Sequence, residues 1–221
     1  MSIFQDISSR VSQLLGSPGI EVKFHKNSLV PESEIDGLIE TLSSIFEIKC
    51  PPTIAASVEI DDHLNAYWKG ETDSGDEAVF GEFFLRSVLL FDAENEIDPA
   101  LRSKTYNGID LDKTRVFDYY AYNGGPIYAL FPVADGEIED RVLIFNERQV
   151  FQTRLSYSTY LELVNRTRGF LFWQYLFCED VHLEAYEIAA IRRGLGFLEQ
   201  RFPGEEYSDL KIRLEAIDGQ R

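Results

Sequence analysis

The chain is poor in the residues that carry most catalytic and metal chemistry. In 221 residues it has two cysteines, three histidines and one methionine. Cys50 and Cys178 stand far apart in sequence, so they build neither a disulfide framework nor a zinc site. They read as reduced, partly buried thiols of a cytoplasmic protein. Positive charge is scarce as well: 21 Lys and Arg face 38 Asp and Glu, a formal net charge of -17. With no surplus of cations to replace counterions, binding to a nucleic-acid backbone is not expected, and neither is binding to an anionic membrane surface. The apolar run Phe170–Cys178 is far too short to cross a bilayer. The start Met1-Ser2-Ile3-Phe4-Gln5-Asp6 lacks the basic and apolar regions of a signal peptide. In a cytoplasmic helix, the glycosylation pattern Asn165-Arg166-Thr167 is a chance match.

The recognisable catalytic motifs are missing too. There is no G-x-S-x-G, no H-E-x-x-H and no P-loop. Gly194-Leu195-Gly196 lies inside a predicted helix with no strand before it, which points to close helix packing rather than a dinucleotide fingerprint. The histidines are His25, His63 and His182. Asp61-Asp62-His63 could suggest a general-base pair or a metal site, and so an enzyme. The residues also fill a predicted two-strand turn, where polar residues are common and neighbours point apart. That structural reading outweighs the enzymatic one. Asp180 and His182, two apart, do not share a helix face. No catalytic residue, cofactor or metal is expected.

What is present is apolar patterning. Hydrophobic residues make up 44% of the chain and aromatics 13%, enough for a substantial core. The stretch Tyr119–Cys178 organises the rest. A turn at Asn123-Gly124-Gly125-Pro126 leads to strand-like runs at Ile127–Val133, Arg141–Phe145 and Gln149–Leu155. Ser158 then opens a helix. Phe170–Cys178 is apolar almost all round and predicts a helix buried in a core or an interface. Upstream, Ser2–Leu15 predicts an amphipathic helix with Ile3, Ile7, Val11 and Leu14 on one face and Gly16 as its cap. Gly19–His25 predicts an edge strand. Pro31 and the spacing of Ile35, Leu38, Ile39, Leu42, Ile45 and Phe46 predict a helix that Pro51-Pro52 stops.

Alternation at Ile54–Ile60 and Leu64–Trp68 predicts a β-hairpin turning at Asp61-Asp62-His63, and Phe80–Phe91 is strand-like. Asp92–Asp112 predicts a long loop with one helical turn near Pro99–Arg102. Helices close the chain over Glu184–Phe202 and around Tyr207, Leu210, Leu214 and Ile217. The fold class is α+β: a single domain over 1–221, a mainly antiparallel sheet flanked by helices, and a C-terminal helical extension over about 183–221.

The distinctive surplus is of acids and tyrosines. Asp73, Asp76 and Glu77 lie in the polar stretch Glu71–Glu77. Asp92, Glu94 and Glu96 lie in a second loop with Asp98. Glu137, Glu139 and Asp140 sit in a hairpin turn, and Asp118, Tyr119, Tyr120 and Tyr122 lie beside the central strands. Acidic loops with tyrosines can recognise a basic protein, by steering and then by aromatic anchoring. These residues are the candidate partner-binding set.

Pro126-Ile127-Tyr128-Ala129-Leu130-Phe131-Pro132, then Val142-Leu143-Ile144-Phe145, then Ser158-Thr159-Tyr160-Leu161-Glu162-Leu163-Val164, resemble the later half of SUKH (SMI1/KNR4-like) domains. The Pro31–Phe46 helix and the Pro51-Pro52 step are similar to that family's first helix and its Leu-Pro step. The family usually has an Asn-Gly soon after that step; here Lys69-Gly70 arrives late. The resemblance implies a single α+β domain and a bacterial immunity protein that binds and neutralises a cognate toxin, with no catalytic residues to carry over. A third possibility, a structural subunit burying the Phe170–Cys178 face in an oligomer, follows from the apolar run alone.

Overall fold

The computed structural model describes residues 2–31, 33–38, 49–72, 77–91, 97–120 and 126–219, without the side chain of Phe24. Its class is α+β. Helix α1 (Ile3–Gly16) opens with a capping box, in which the Ser2 hydroxyl accepts the Gln5 N–H while the Gln5 side chain accepts that of Ser2. It buries Phe4, Ile7, Val11 and Leu14. Gly16 ends the helix and Ser17 caps it. Strand β1 (Ile20–Leu29) follows. Helix α2 is described over 33–38; the rest of the predicted helix, 39–48, lies outside the described residues.

The segment expected to be the first half of a hairpin is helical. It forms α3 (Pro52–Ala55), then a 3-10 turn over Ala56–Glu59. Pro52 is preset for a first helical turn. Ile54 and Val58, read as every second residue of a strand, are also four apart, and both are fully buried. Strand β2 (Ile60–Glu71) then runs unbroken through Asp61-Asp62-His63. The expected turn is absent because β1 continues to pair there, with Leu29 opposite Ile60 and the Val30 N–H donating to the Glu59 carbonyl. On its other edge β2 pairs with β3 (Ala78–Arg86), and a 3-10 turn over Val88–Leu90 follows.

The first sheet is therefore β1-β2-β3, all antiparallel. Helix α4 (Pro99–Arg102) is the helical turn predicted from sequence, and β4 (Thr105–Tyr106) and β5 (Ile109–Asp110) form a small hairpin after it. A second sheet has the order β10-β9-β7-β6, with β8 on β7. Its strands are β6 (Thr114–Tyr119), β7 (Tyr128–Ala134), β8 (Glu137–Ile138), β9 (Leu143–Phe145) and β10 (Val150–Gln152). Strand β6 lies alongside β3.

One face of both sheets packs on helices. These are α1, α5 (Tyr157–Thr167), α6 (Ala185–Arg201) and α7 (Ser208–Asp218). Helix α5 is capped by Ser156 rather than opened by Ser158, with the Asp140 carboxylate accepting the Tyr157 N–H at 2.7 Å. The C-terminal helices are part of the core: the ring of Phe197 on α6 stacks on Trp68 of β2. The other face of the second sheet is covered by residues 97–111. Ile97 and Leu111 pack there on Val116, Leu130, Leu143 and Phe145.

Phe170–Cys178 is buried within the chain, so its apolar surface needs no second subunit, but it is not an α-helix. Arg168, Gly169 and Phe172 take left-handed φ values, and only Trp173–Phe177 coils, as a 3-10 turn. Backbone bridges anchor the two ends, Phe170 to Gly81 and Cys178 to Thr153. Trp173 is fully buried against Tyr160. Gly194 is needed for this packing: a Cβ there would sit 2.6 Å from the Phe170 ring, whereas one at Gly196 meets nothing within 4 Å.

Trp173→Ala should cost about 3–5 kcal/mol in denaturant unfolding, and a near-normal midpoint would refute the core placement. Gly196→Ala should stabilise by about 0.5–1 kcal/mol through helix propensity, while Gly194→Ala should destabilise. Equal effects at the two positions would refute the packing.

Candidate interaction surface

A row of rings crosses the strands. The pairing of His63 with Arg86 and Asn65 with Phe84 makes His63 and Phe84 diagonal neighbours on one face, and their rings stack at 4.3 Å. Tyr119 of β6 lies 4.6 Å from Phe84. Tyr128, Phe145 and Tyr106 continue the row at 6.3, 5.8 and 5.0 Å. Tyr128 and Phe145 are buried beneath the 97–111 cover, while His63, Phe84 and Tyr119 remain half-buried. Asp61, exposed, and Asp62 border that open end. The Asp62 carboxylate takes an ion pair from Lys26 and contacts His63 Nδ1 at 2.8 Å. The hydrogen bond from Lys26 holds its carboxyl below the usual range. Neighbours expected to point apart in a turn thus meet in a strand. Aromatic rings beside carboxylates suit contact with a cationic, amphipathic surface.

Of the predicted partner-binding residues, Tyr119 is on this row, but Asp118 and Tyr120 are not on the surface. Both are buried, at 1% and 2% exposure, which corrects the expectation. The cause is a bulge: the register of β6 on β7 shifts between Val116 and Asp118, turning Phe117 and Asp118 toward the helices together. Asp118 Oδ1 accepts the Phe84 N–H at 2.6 Å, and Oδ2 accepts the Tyr160 hydroxyl at 2.7 Å. The Tyr120 hydroxyl donates to Gln174 Oε1 at 2.7 Å, and Gln174 Nε2 reaches Tyr160 at 3.4 Å. This carboxylate ties β3, β6 and α5 together. Burial pushes it up to about 7, against the opposing hydrogen bonds from Tyr160 and Phe84, with the nearby charge of Glu82 adding to the rise. Burial likewise raises both tyrosine hydroxyls.

The remaining acids are spread over several elements. Glu77, exposed, pairs with Arg193 of α6. Glu137 is exposed on β8, beside the Lys49 bridge. Glu139 pairs with Arg141 at 2.9 Å. Asp140 serves the fold, accepting from Thr53 at 2.9 Å and from the α5 N-terminus. Asp73, Asp76, Asp92, Glu94, Glu96 and Tyr122 lie outside the described residues. Sequence reasoning missed Phe84, and it read His63 as a turn residue or a candidate base rather than as part of a ring-bearing strand face. The available signal was the second face of β2, where His63, Asn65 and Tyr67 alternate with Leu64, Ala66 and Trp68, and the misplaced turn hid it.

Among the described residues, no cluster of three His, Cys, Asp or Glu side chains could hold a metal ion. Burial pushes the Cys50 thiol up to about 12 and raises Cys178 further, so neither is an activated nucleophile. No helix among the described residues is long and apolar enough to cross a membrane. No protein-family model, curated protein or solved structure matches the chain.

Asp118 makes the stability pH-dependent with a definite sign. Its folded value is raised from the ordinary 3.8 to about 7, so between those values the native state holds a proton that the unfolded chain releases. The contribution of Asp118 to stability should therefore fall as pH rises from about 4 to about 7, and stay level above. Subtracting the unfolding free energy of Asp118→Asn from that of wild type isolates it from the other acids. A difference that rises with pH, or stays flat, would refute the buried, proton-holding carboxyl.

Proposed function

We propose that this chain is a non-enzymatic binding protein of the cytoplasm, an immunity protein that neutralises a cognate toxin by direct contact with a basic domain. The observation that carries the reading is the open end of the aromatic row, where His63, Phe84 and Tyr119 lie half-buried beside Asp61 and Asp62. Rigid rings lose little conformational freedom on binding, and fully desolvated aromatic anchors supply much of the energy of protein contacts. The net charge of -17 raises the encounter rate with a basic partner. The resemblance to SUKH domains over Pro126–Pro132, Val142–Phe145 and Ser158–Val164 points to the same class, in which members act by binding. A soluble interaction module of this kind needs neither cofactor nor metal.

The test uses the toxin domain encoded beside this gene, produced together with the chain. Growth of the toxin-producing host should be restored, and the two proteins should co-purify. Neutralising Asp61, Glu137 and Glu139 together should slow association at about 0.1 M salt and leave it unchanged near 1 M, where the screening length falls from about 10 Å to about 3 Å. Tyr119→Ala should mainly speed dissociation, by tenfold or more if about 1.4 kcal/mol of anchoring is lost. A toxin that stays fully active in the presence of equimolar chain would sink the proposal.

A further inference from the structure

Away from the aromatic row, α5, α7 and the turn Trp173–Phe177 enclose an open cavity of about 590 Å³, a size typical of small-ligand sites. Its walls carry charges in tiers. Arg166 of α5 grips Asp209 of α7 through two hydrogen bonds, at 2.7 and 3.2 Å. One helical turn back along α5 is Glu162, and one turn on along α7 is Arg213; both line the same cavity. Among the described residues these two have no ionic partner, neither each other nor any third group. The Arg213 guanidinium lies over the Phe177 ring at 4.5 Å. The first tier is a closed ion pair; the second is an open one, an acid and a base that line the same cavity without pairing. Leu163, Leu176 and Phe177 supply apolar wall beside it. Arg154 and Glu179, which also line the cavity, neutralise each other at 2.8 Å.

We infer that this cavity binds a small zwitterion with an apolar side chain, a free α-amino acid of the leucine or phenylalanine kind. Its carboxylate pairs with Arg213, its ammonium with Glu162, and its side chain lies against Leu176 and Phe177. The sign pattern selects this class. A simple anion would gain Arg213 but approach Glu162 and the field of a chain at -17. A simple cation would gain Glu162 and approach Arg213. A ligand carrying both charges matches both walls and has no net charge to be repelled. An apolar side chain adds buried area that glycine cannot supply.

Calorimetric or NMR titration of the full chain tests this, with L-phenylalanine, N-acetyl-L-phenylalanine, L-phenylalaninamide and glycine as probes. Phenylalanine should saturate with a dissociation constant of about 1 mM or tighter. Each probe lacking one charge, and glycine, should bind at least tenfold more weakly. Glu162 and Arg213 are both exposed, so their variants should fold normally, as melting temperatures will show. Arg213→Gln should weaken phenylalanine and N-acetylphenylalanine and leave phenylalaninamide unchanged; Glu162→Gln should weaken phenylalanine and phenylalaninamide and leave N-acetylphenylalanine unchanged. Absence of saturable binding overturns the inference. So does equal binding of charged and masked probes, or a loss in either variant that ignores which charge the probe carries.

Discussion

Two carbonyl groups, those of Arg168 and Gly169, fix the arrangement of everything else. The Arg168 carbonyl accepts the Trp68 indole N–H at 2.8 Å, and that of Gly169 accepts the Glu82 N–H at 2.7 Å. Through them the segment after α5 is pinned to β2 and β3. Eleven residues further along, the Glu179 N–H donates to Gln152 of β10, pinning the same segment to the other sheet. A buried polar group left without a partner costs about 1–3 kcal/mol, so these bonds decide where the crosspiece lies before its aromatics pack. Glycine is required at 169: φ is +70°, and a Cβ would collide with the Glu82 carbonyl. Arg168 adopts a left-handed φ of 51° at 1% exposure, and its two terminal guanidinium nitrogens find partners while Nε has none among the described residues. The guanidinium forks onto Glu205 at 2.7 and 3.1 Å and stacks on Phe202 at 3.6 Å. A buried charge of this kind is tolerable only when paired. The carboxylate also takes an ion pair from Arg10 of α1. One backbone geometry thus links the first helix, both sheets and the C-terminal helices.

The parts of this arrangement that were legible in the sequence are those with a single period. Helices α1, α6 and α7 show apolar residues at helical spacing, and they stand within a residue or two of where the pattern puts them. The failures fall where two periods fit the same residues. Ile54, Ala56, Val58 and Ile60 satisfy a strand by alternation and a helix by the pair at 54 and 58. Pro52 and two alanines tip the balance to helix, and the polar Asp61-Asp62-His63 then had no turn to make. Phe170–Cys178 failed for a different reason. Its composition reports burial, and it is buried. Periodicity carries no information about left-handed residues at 168, 169 and 172, which come from long-range contacts.

The candidate surface shows the same limit more sharply. Asp118, Tyr119 and Tyr120 are consecutive, and a strand would put the first and third on one face and the second on the other. The structure does that, but the bulge at Phe117 decides which face is which. A register shift of one residue exchanges core for solvent, and nothing in the local sequence signals it. Asp118 therefore becomes a buried tie and Tyr119 a surface ring, although their chemistry alone suggests the reverse exposure.

The net charge has to be read through the same pairing. Arg10, Arg102, Arg141, Arg154, Arg166, Arg192 and Arg193 each hold a carboxylate, as does Arg168 inside the core. Because each such pair is neutral, pairing leaves the excess of 17 acids undiminished while removing cations from the view of any approaching molecule. Exposed pairs contribute little to stability, about 0–1 kcal/mol each. Their larger effect is to sort the surface: among the described residues many cations are committed to such pairs, whereas the guanidinium of Arg213 stacks on Phe177 and has no ionic partner. A local exception of sign in a strongly acidic chain is where short-range recognition of a carboxylate can succeed despite long-range repulsion, since screening at physiological salt confines the general field to about 8 Å while a direct guanidinium contact acts within hydrogen-bond distance.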